Sequence, residues 1–215
     1  MLAVLCIGDS ITRWDQSYCD QSIHTTDNIA EVGETTEGWL DPNVHTNRII
    51  PALAAQPIDV VSILLYTNDV AQQIEPLQVE ANLRSLVAML ESEGVVDIVL
   101  SIPPYFQAEE IVPLHAEYND RLDEIAPLIV AIAVDPNNVA RFGVDWRTLS
   151  LPYPDVWSDP VHPDVAGHAI ARPFVDAALI PNPFVPALSP AGIALLFIAL
   201  GVTAFLMLRN SDSAP

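Results

Sequence analysis

A three-layer α/β/α sandwich around a central, mostly parallel five-stranded sheet is the fold class this sequence predicts, on three observations. Short runs rich in Val, Ile and Leu alternate with amphipathic stretches of helical period, and Gly, Pro, Asp or Asn bounds each run. The chain has 215 residues and 51% hydrophobic content, enough for one substantial core. Strands alternating with helices argue for helices on both faces of the sheet, with sites at the carboxyl ends of the strands.

Taken in order, the first expected strand is 2–7, an apolar run that passes into the polar Gly8-Asp9-Ser10. Residues 13–28 fit neither period and read as a polar loop. The next strands are expected over 29–32, 58–66 and 95–102, with a fifth over 128–134. Between them, 78–93 carries Val79, Leu83, Leu86, Val87 and Leu90 at three- and four-residue spacings, and 111–126 repeats the pattern with Leu114, Tyr118, Leu122 and Ile125. These are crossover helices. A last helix is expected over 165–179, which closes a single domain at 1–180.

Charge narrows the partners. The 28 acidic residues against 8 basic ones, every basic one an arginine, give a net charge of −20 and argue against nucleic acid. So acidic a surface suits a salt-rich setting or simply keeps the protein soluble. The two cysteines, Cys6 and Cys19, have neither the spacing of a zinc site nor the density of a disulfide scaffold, so the redox compartment stays open.

The sharpest change in composition follows the domain. Residues 181–186 form a proline-rich linker, and the 22 residues 187–208 carry no charge, longer than the roughly 20 needed to cross a bilayer. They are expected to form a transmembrane helix, followed by the short polar tail 209–215. Arg209 just beyond the span places the tail in the cytoplasm and the main domain outside. Export calls for an N-terminal signal that Met1 to Ile7 does not supply, so a truncated start and a tail anchor with the domain inside both stay open.

Three motifs fall at expected strand ends. In Gly8-Asp9-Ser10, a serine at a strand-to-helix turn is placed for nucleophilic attack. In Tyr66-Thr67-Asn68-Asp69, the asparagine amide is placed to donate to an oxyanion above the sheet. In Asp159-Pro160-Val161-His162-Pro163, a carboxylate three residues before a histidine fixes the ring tautomer and stabilises the imidazolium formed when the ring takes a proton. The spacing matches no zinc pattern, so neither a metal nor a cofactor is expected.

Together these residues resemble the SGNH hydrolase family, also called GDSL esterases and lipases, over roughly residues 2–178. The resemblance implies the family's flavodoxin-like fold, with Ser10 as nucleophile and Asp159 and His162 completing the triad. It also locates a fourth block, Gly33-Glu34-Thr35-Thr36, whose glycine supplies an oxyanion-hole N–H beside the backbone N–H of Ser10 and the side chain of Asn68. One departure stands out, since the family has glycine where this chain has Tyr66, which bears on the turn presenting Asn68 and on the acyl pocket. The implied activity is hydrolysis of carboxylic esters, acetyl or short acyl groups on a small-molecule or glycan substrate. O-acyl transfer on the same scaffold and an inactive glycan-binding module are the alternatives. Trp14, Trp39, Trp146 and Trp157 are candidates for stacking on sugar rings or for the core.

Overall fold

The structure is a computed structural model that describes residues 1–14, 16–106, 114–150 and 156–181. Its strands are β1 (Ala3–Gly8), β2 (Thr25–Asn28), β3 (Val60–Leu64), β4 (Ile98–Ile102) and β5 (Ala140–Asp145). All neighbours pair in parallel, in the order β2-β1-β3-β4-β5. The helices are α1 (Ser10–Arg13), α2 (Pro42–Val44), α3 (Ile50–Ala55), α4 (Thr67–Ala71), α5 (Pro76–Ser92), α6 (Leu114–Ala133), α7 (Trp146–Ser150) and α8 (Val165–Leu179), with a π-helical turn at His45–Ile49 joining α2 to α3.

Alternation along β1 divides the core in two. Leu5 and Ile7 pack with Leu83, Leu86 and Leu90 of α5 and with Leu122, Ile125 and Ile129 of α6. Val4 and Cys6 point the other way and join Ile11 of α1, Trp146 of α7 and Ala171, Val175 and Leu179 of α8. Both faces of the inner strands are therefore buried, which is why those strands read as continuous apolar runs. Arg141 of β5 ties the layers together at the far edge. It pairs with both carboxylate oxygens of Asp97, at 2.7 and 3.0 Å, and donates to the carbonyls of Ala178 and Leu179, which the end of α8 leaves without helical donors.

Two strands differ from the sequence expectation. Residues 128–134 are not a strand: 128–133 form the last turns of α6, which runs straight through Pro127. A short apolar run does not distinguish a strand from the buried side of a helix, and here Ile129, Ile132 and Ala133 are buried while Val130 and Val134 face solvent, a helical period. The fifth strand is β5 instead, an edge strand whose Arg141 and Asp145 hide it from a search for apolar runs. The second strand, β2, lies just before the expected 29–32, inside the supposed polar loop, because it pairs only with β1 and its Thr-Thr-Asp-Asn residues are at most partly buried. Ile29 and Glu31 still follow the edge of β1, their N–H groups donating to Cys6 and Gly8 carbonyls.

The rest of 13–28 is no free loop either. Cys6 of β1 and Cys19 are joined in a disulfide, both fully buried. Asn28 donates to the Thr12 carbonyl at 2.8 Å, and the Tyr18 N–H donates to Nδ1 of His168 on α8 at 3.3 Å. Trp39 and Trp146 are core residues, which removes them as sugar platforms.

Met1–Ile180 forms one compact unit. Among the described residues no helix is long and apolar enough to cross a membrane, and the span expected over 187–208 lies outside the described residues.

Breaking the disulfide by Cys19→Ser frees a loop closed over a sequence separation of 13. It is expected to destabilise the domain by about 3 kcal/mol, the loop-closure entropy of such a ring, read as a lowered urea midpoint.

Candidate active site

In a sheet of this order the connections leaving β1 and β3 diverge, and the cleft between their carboxyl ends is where such folds place ligands. The Ser10 and Asn68 turns both open there. Gly8 closes β1, and a Cβ at that position would stand 2.7 Å from the Leu64 carbonyl and 2.2 Å from the Thr12 hydroxyl. Only glycine lets α1 begin so near β3. Asp9 caps α1, its Oδ1 accepting the Ile11 N–H at 3.0 Å, so Ser10 is the first helical residue and its own N–H has no intrahelical acceptor.

His162 reaches this serine from the opposite side of the sequence. Its Nε2 lies 2.8 Å from Ser10 Oγ, and its Nδ1 lies 2.7 Å from Asp159 Oδ2. Asp159 is anchored by its own turn, with Oδ1 accepting the N–H groups of Val161 at 2.8 Å and His162 at 2.9 Å. Burial pushes the Asp159 carboxyl upward, but the bonds from Val161 and His162 outweigh it and hold the group below the usual carboxylate range. The turn is closed behind them, where the Ser158 N–H and hydroxyl both donate to the His162 carbonyl and Trp157 bridges Pro163. Asp164 then caps α8 by accepting the Gly167 N–H.

The expected oxyanion residues sit on braced turns. Gly33 has φ +80°, a backbone that favours glycine, in a turn fastened at one end by the Glu31 N–H to the Gly8 carbonyl and at the other by Asn68. One amide hydrogen of Asn68 goes to the Glu34 carbonyl at 2.9 Å, leaving the other for a ligand. Asp69, fully buried, accepts the Thr36 N–H and, at 2.5 Å, its hydroxyl, and Asn82 of α5 donates to the same hydroxyl. Sequence patterning named Asp69 as part of a motif without a role; its work is to lock the Gly33 turn to the Asn68 turn.

Tyr66, in the place of the family's glycine, adopts φ +89°, the left-handed backbone that a glycine there takes without strain. Its ring is fully buried in the α5–α6 side of the core.

Three further residues take places that sequence reasoning did not assign them. Trp14, 39% exposed, stacks on His162 with ring centroids 4.8 Å apart and planes 20° from parallel. Asp9 is completely buried behind the nucleophile, and that burial pushes its carboxyl up to about 6. His168, buried on α8, is pushed down to about 4 by the same cause. The serial pattern Asp9-x-Ile11, a cap two residues before its N–H donor, was legible; the other two depend on long-range packing.

Comparison with known proteins bears on the family and the fold. The model of the GDSL-like Lipase/Acylhydrolase family matches residues 6–170. Among solved structures, the acetylxylan esterase Axe2 from Geobacillus stearothermophilus is similar with TM-score 0.59 and 25% identity over 84% of this chain and 95% of that one. A lipolytic protein of the G-D-S-L family from Veillonella parvula DSM 2008 matches with TM-score 0.62 and 19% identity, over 81% and 96% of the two chains. An SGNH hydrolase from Slackia heliotrinireducens gives 0.64 and 19%, over 83% and 99%. No curated protein matches.

Asp9 and His168 pull stability in opposite directions. Between pH 6.5 and 4 the unfolded chain takes a proton that native His168 refuses, so acidification destabilises the fold. Between 6 and 3.8 native Asp9 holds a proton that the unfolded chain releases, so its contribution is present in acid and is lost as pH rises through 6. Each is worth about 3 kcal/mol, and they largely cancel. Asp9→Asn, which keeps the cap, is expected to lose stability between pH 6.5 and 4 more steeply than wild type, and His168→Gln less steeply. Urea midpoints at pH 4.5 and 7 report both; matching pH dependence in all three proteins contradicts the assignment.

Proposed function

Because the chain belongs to the GDSL-like lipase/acylhydrolase family and is an esterase of that kind, we propose that it cleaves carboxylic esters through an acyl intermediate on Ser10. The unbroken line of hydrogen bonds from Ser10 Oγ through His162 to Asp159 carries this proposal. With Nδ1–H held by the ionised Asp159, the neutral ring presents an unprotonated Nε2 to the serine. Ser10 Oγ attacks the ester carbonyl carbon as its proton passes to Nε2, and the carbonyl electron pair moves onto the oxygen. That oxyanion is met by the N–H groups of Ser10 and Gly33 and by the second amide hydrogen of Asn68. Collapse breaks the ester C–O bond, and the leaving alkoxide takes the proton from Nε2. Water repeats the sequence on the acyl-serine and releases the acid.

For the substrate we favour an acetyl or short acyl ester on carbohydrate. The support is the likeness to Axe2, an acetylxylan esterase, at 25% identity across nearly its whole length. The Cys6–Cys19 disulfide favours an oxidising compartment for the domain, with 187–208 as its membrane anchor. Fractionation of cells expressing the full chain and one ending at residue 186 checks the anchor: equal partition between membrane and soluble fractions contradicts it.

Ser10→Ala is expected to abolish p-nitrophenyl acetate hydrolysis, and retained activity sinks the acyl-serine mechanism. Asn68→Ala is expected to lower kcat by about 10²–10³, the usual loss for one oxyanion donor. Acetate release from acetylated xylo-oligosaccharide, set against lysophospholipid and acyl-thioester cleavage, tests the substrate class, with the first expected to dominate.

A further inference from the structure

We propose that Trp14 is a positioning residue for His162, stacking on the imidazole so that Nε2 stays aimed at Ser10, and that the Cys6–Cys19 disulfide holds Trp14 in place. The proposal rests on His162 being the base. Two hydrogen bonds, to Asp159 at one edge of the ring and to Ser10 at the other, hold the two ring nitrogens but place nothing against the ring faces. A contact on a ring face limits rocking of the ring through its side-chain torsions, and Trp14 stacks on that face, nearly parallel at 4.8 Å. Indole also favours a cation against its face, so the stack grows stronger as the ring takes the serine's proton and its charge appears. That is an interaction larger in the transition state than in the ground state, which is the kind that raises kcat.

Trp14 is not held by core packing. It is 39% exposed, whereas Trp39 and Trp146 are fully buried. Its place is set by the backbone on either side. The Trp14 N–H donates to the Ser10 carbonyl at 2.9 Å, ending α1, and its carbonyl accepts the Ser17 N–H at 3.0 Å. From there the chain is pinned at Tyr18, whose hydroxyl meets Thr12 at 3.2 Å and whose N–H meets His168, and at Cys19, bonded to Cys6 in β1. The disulfide is the covalent member of this set, and it fastens the loop to the same strand that delivers Ser10.

The test uses the full chain with Trp14→Ala, Trp14→Phe, Cys19→Ser and the Trp14→Ala/Cys19→Ser double variant. Readouts are kcat and KM for p-nitrophenyl acetate and the rate at which diisopropyl fluorophosphate labels Ser10, which reports nucleophile activation without an acetyl-site KM. Trp14→Ala is expected to lower kcat and labelling about tenfold with KM unchanged, the size of one partly desolvated cation–π contact expressed as rate. Trp14→Phe is expected to restore most of both. Cys19→Ser is expected to lose as much as Trp14→Ala, and the double variant no more. An unchanged kcat and labelling rate in Trp14→Ala, or a rise in KM alone, overturns the positioning role. Additive losses in the double variant overturn the tether. Where Cys19→Ser does not fold, the Trp14→Ala and Trp14→Phe pair still decides the first half. Full activity in His162→Ala would instead remove the base assignment itself, a result separate from any Trp14 outcome.

Discussion

The catalytic edge depends on how closely α1 approaches the end of β3. With no Cβ at Gly8, the chain leaves β1, turns through Asp9 and starts a helix against the Leu64 carbonyl, with Thr12 reaching back over the same spot. A side chain there would run into the Thr12 side chain and the Leu64 carbonyl, so Ser10 would be carried away from β3 and from His162. The Asn68 turn at the end of β3 and the Gly33 turn beside β1 take their positions from the same junction. Three of the chain segments that meet at the site are thus organised by one contact between two parallel neighbours, with α8 and its preceding turn docking against the result.

Electrostatics at this edge is unusual for so acidic a chain. Two carboxylates, Asp9 and Asp69, are buried under the site, Asp9 accepting the Ile11 N–H and Asp69 the N–H and hydroxyl of Thr36. Each raised carboxyl reflects desolvation opposed by those bonds. Arginine, by contrast, is spent at the perimeter: Arg48 on Glu31, Arg141 on Asp97, Arg147 on Asp123 and Asp145. Burial thus disfavours charge on the two interior carboxyls, while the periphery neutralises it with arginine where strands and helices meet solvent.

Much of this was legible in the sequence because the signals were local or apolar. The inner strands announce themselves as Val-Ile-Leu runs since both faces are covered, the nucleophile and the Asn68 turn each fall where a run ends, and the Asp159–His162 turn precedes the last helix. The edge strands were harder. β2 and β5 have one neighbour each and carry Thr, Asp and Arg, so periodicity favoured the buried side of α6 as a strand in place of Ala140–Asp145. Contacts between distant segments left no local trace at all. Nothing near Cys6 names Cys19 as its partner, and nothing near Trp14 announces a ring that arrives 148 positions later. Such pairings arise only once the chain is folded, the first in the connection between β1 and β2 and the second where the turn before α8 meets the end of β1.

Tyr66 gives the donor turn a mechanical character of its own. A glycine at that point is a swivel: it passes between backbone basins at little cost and lets the residues after it pivot. Here the same left-handed bend is occupied by a large ring sunk into the hydrophobic layer beneath the sheet. The backbone of the Asn68 turn therefore cannot pivot at this point without disturbing an aromatic ring in the core, while the amide itself is held by the Glu34 carbonyl. The amide is bolted to the body of the protein, and whatever adaptability the site has toward differently shaped esters must come from its other walls.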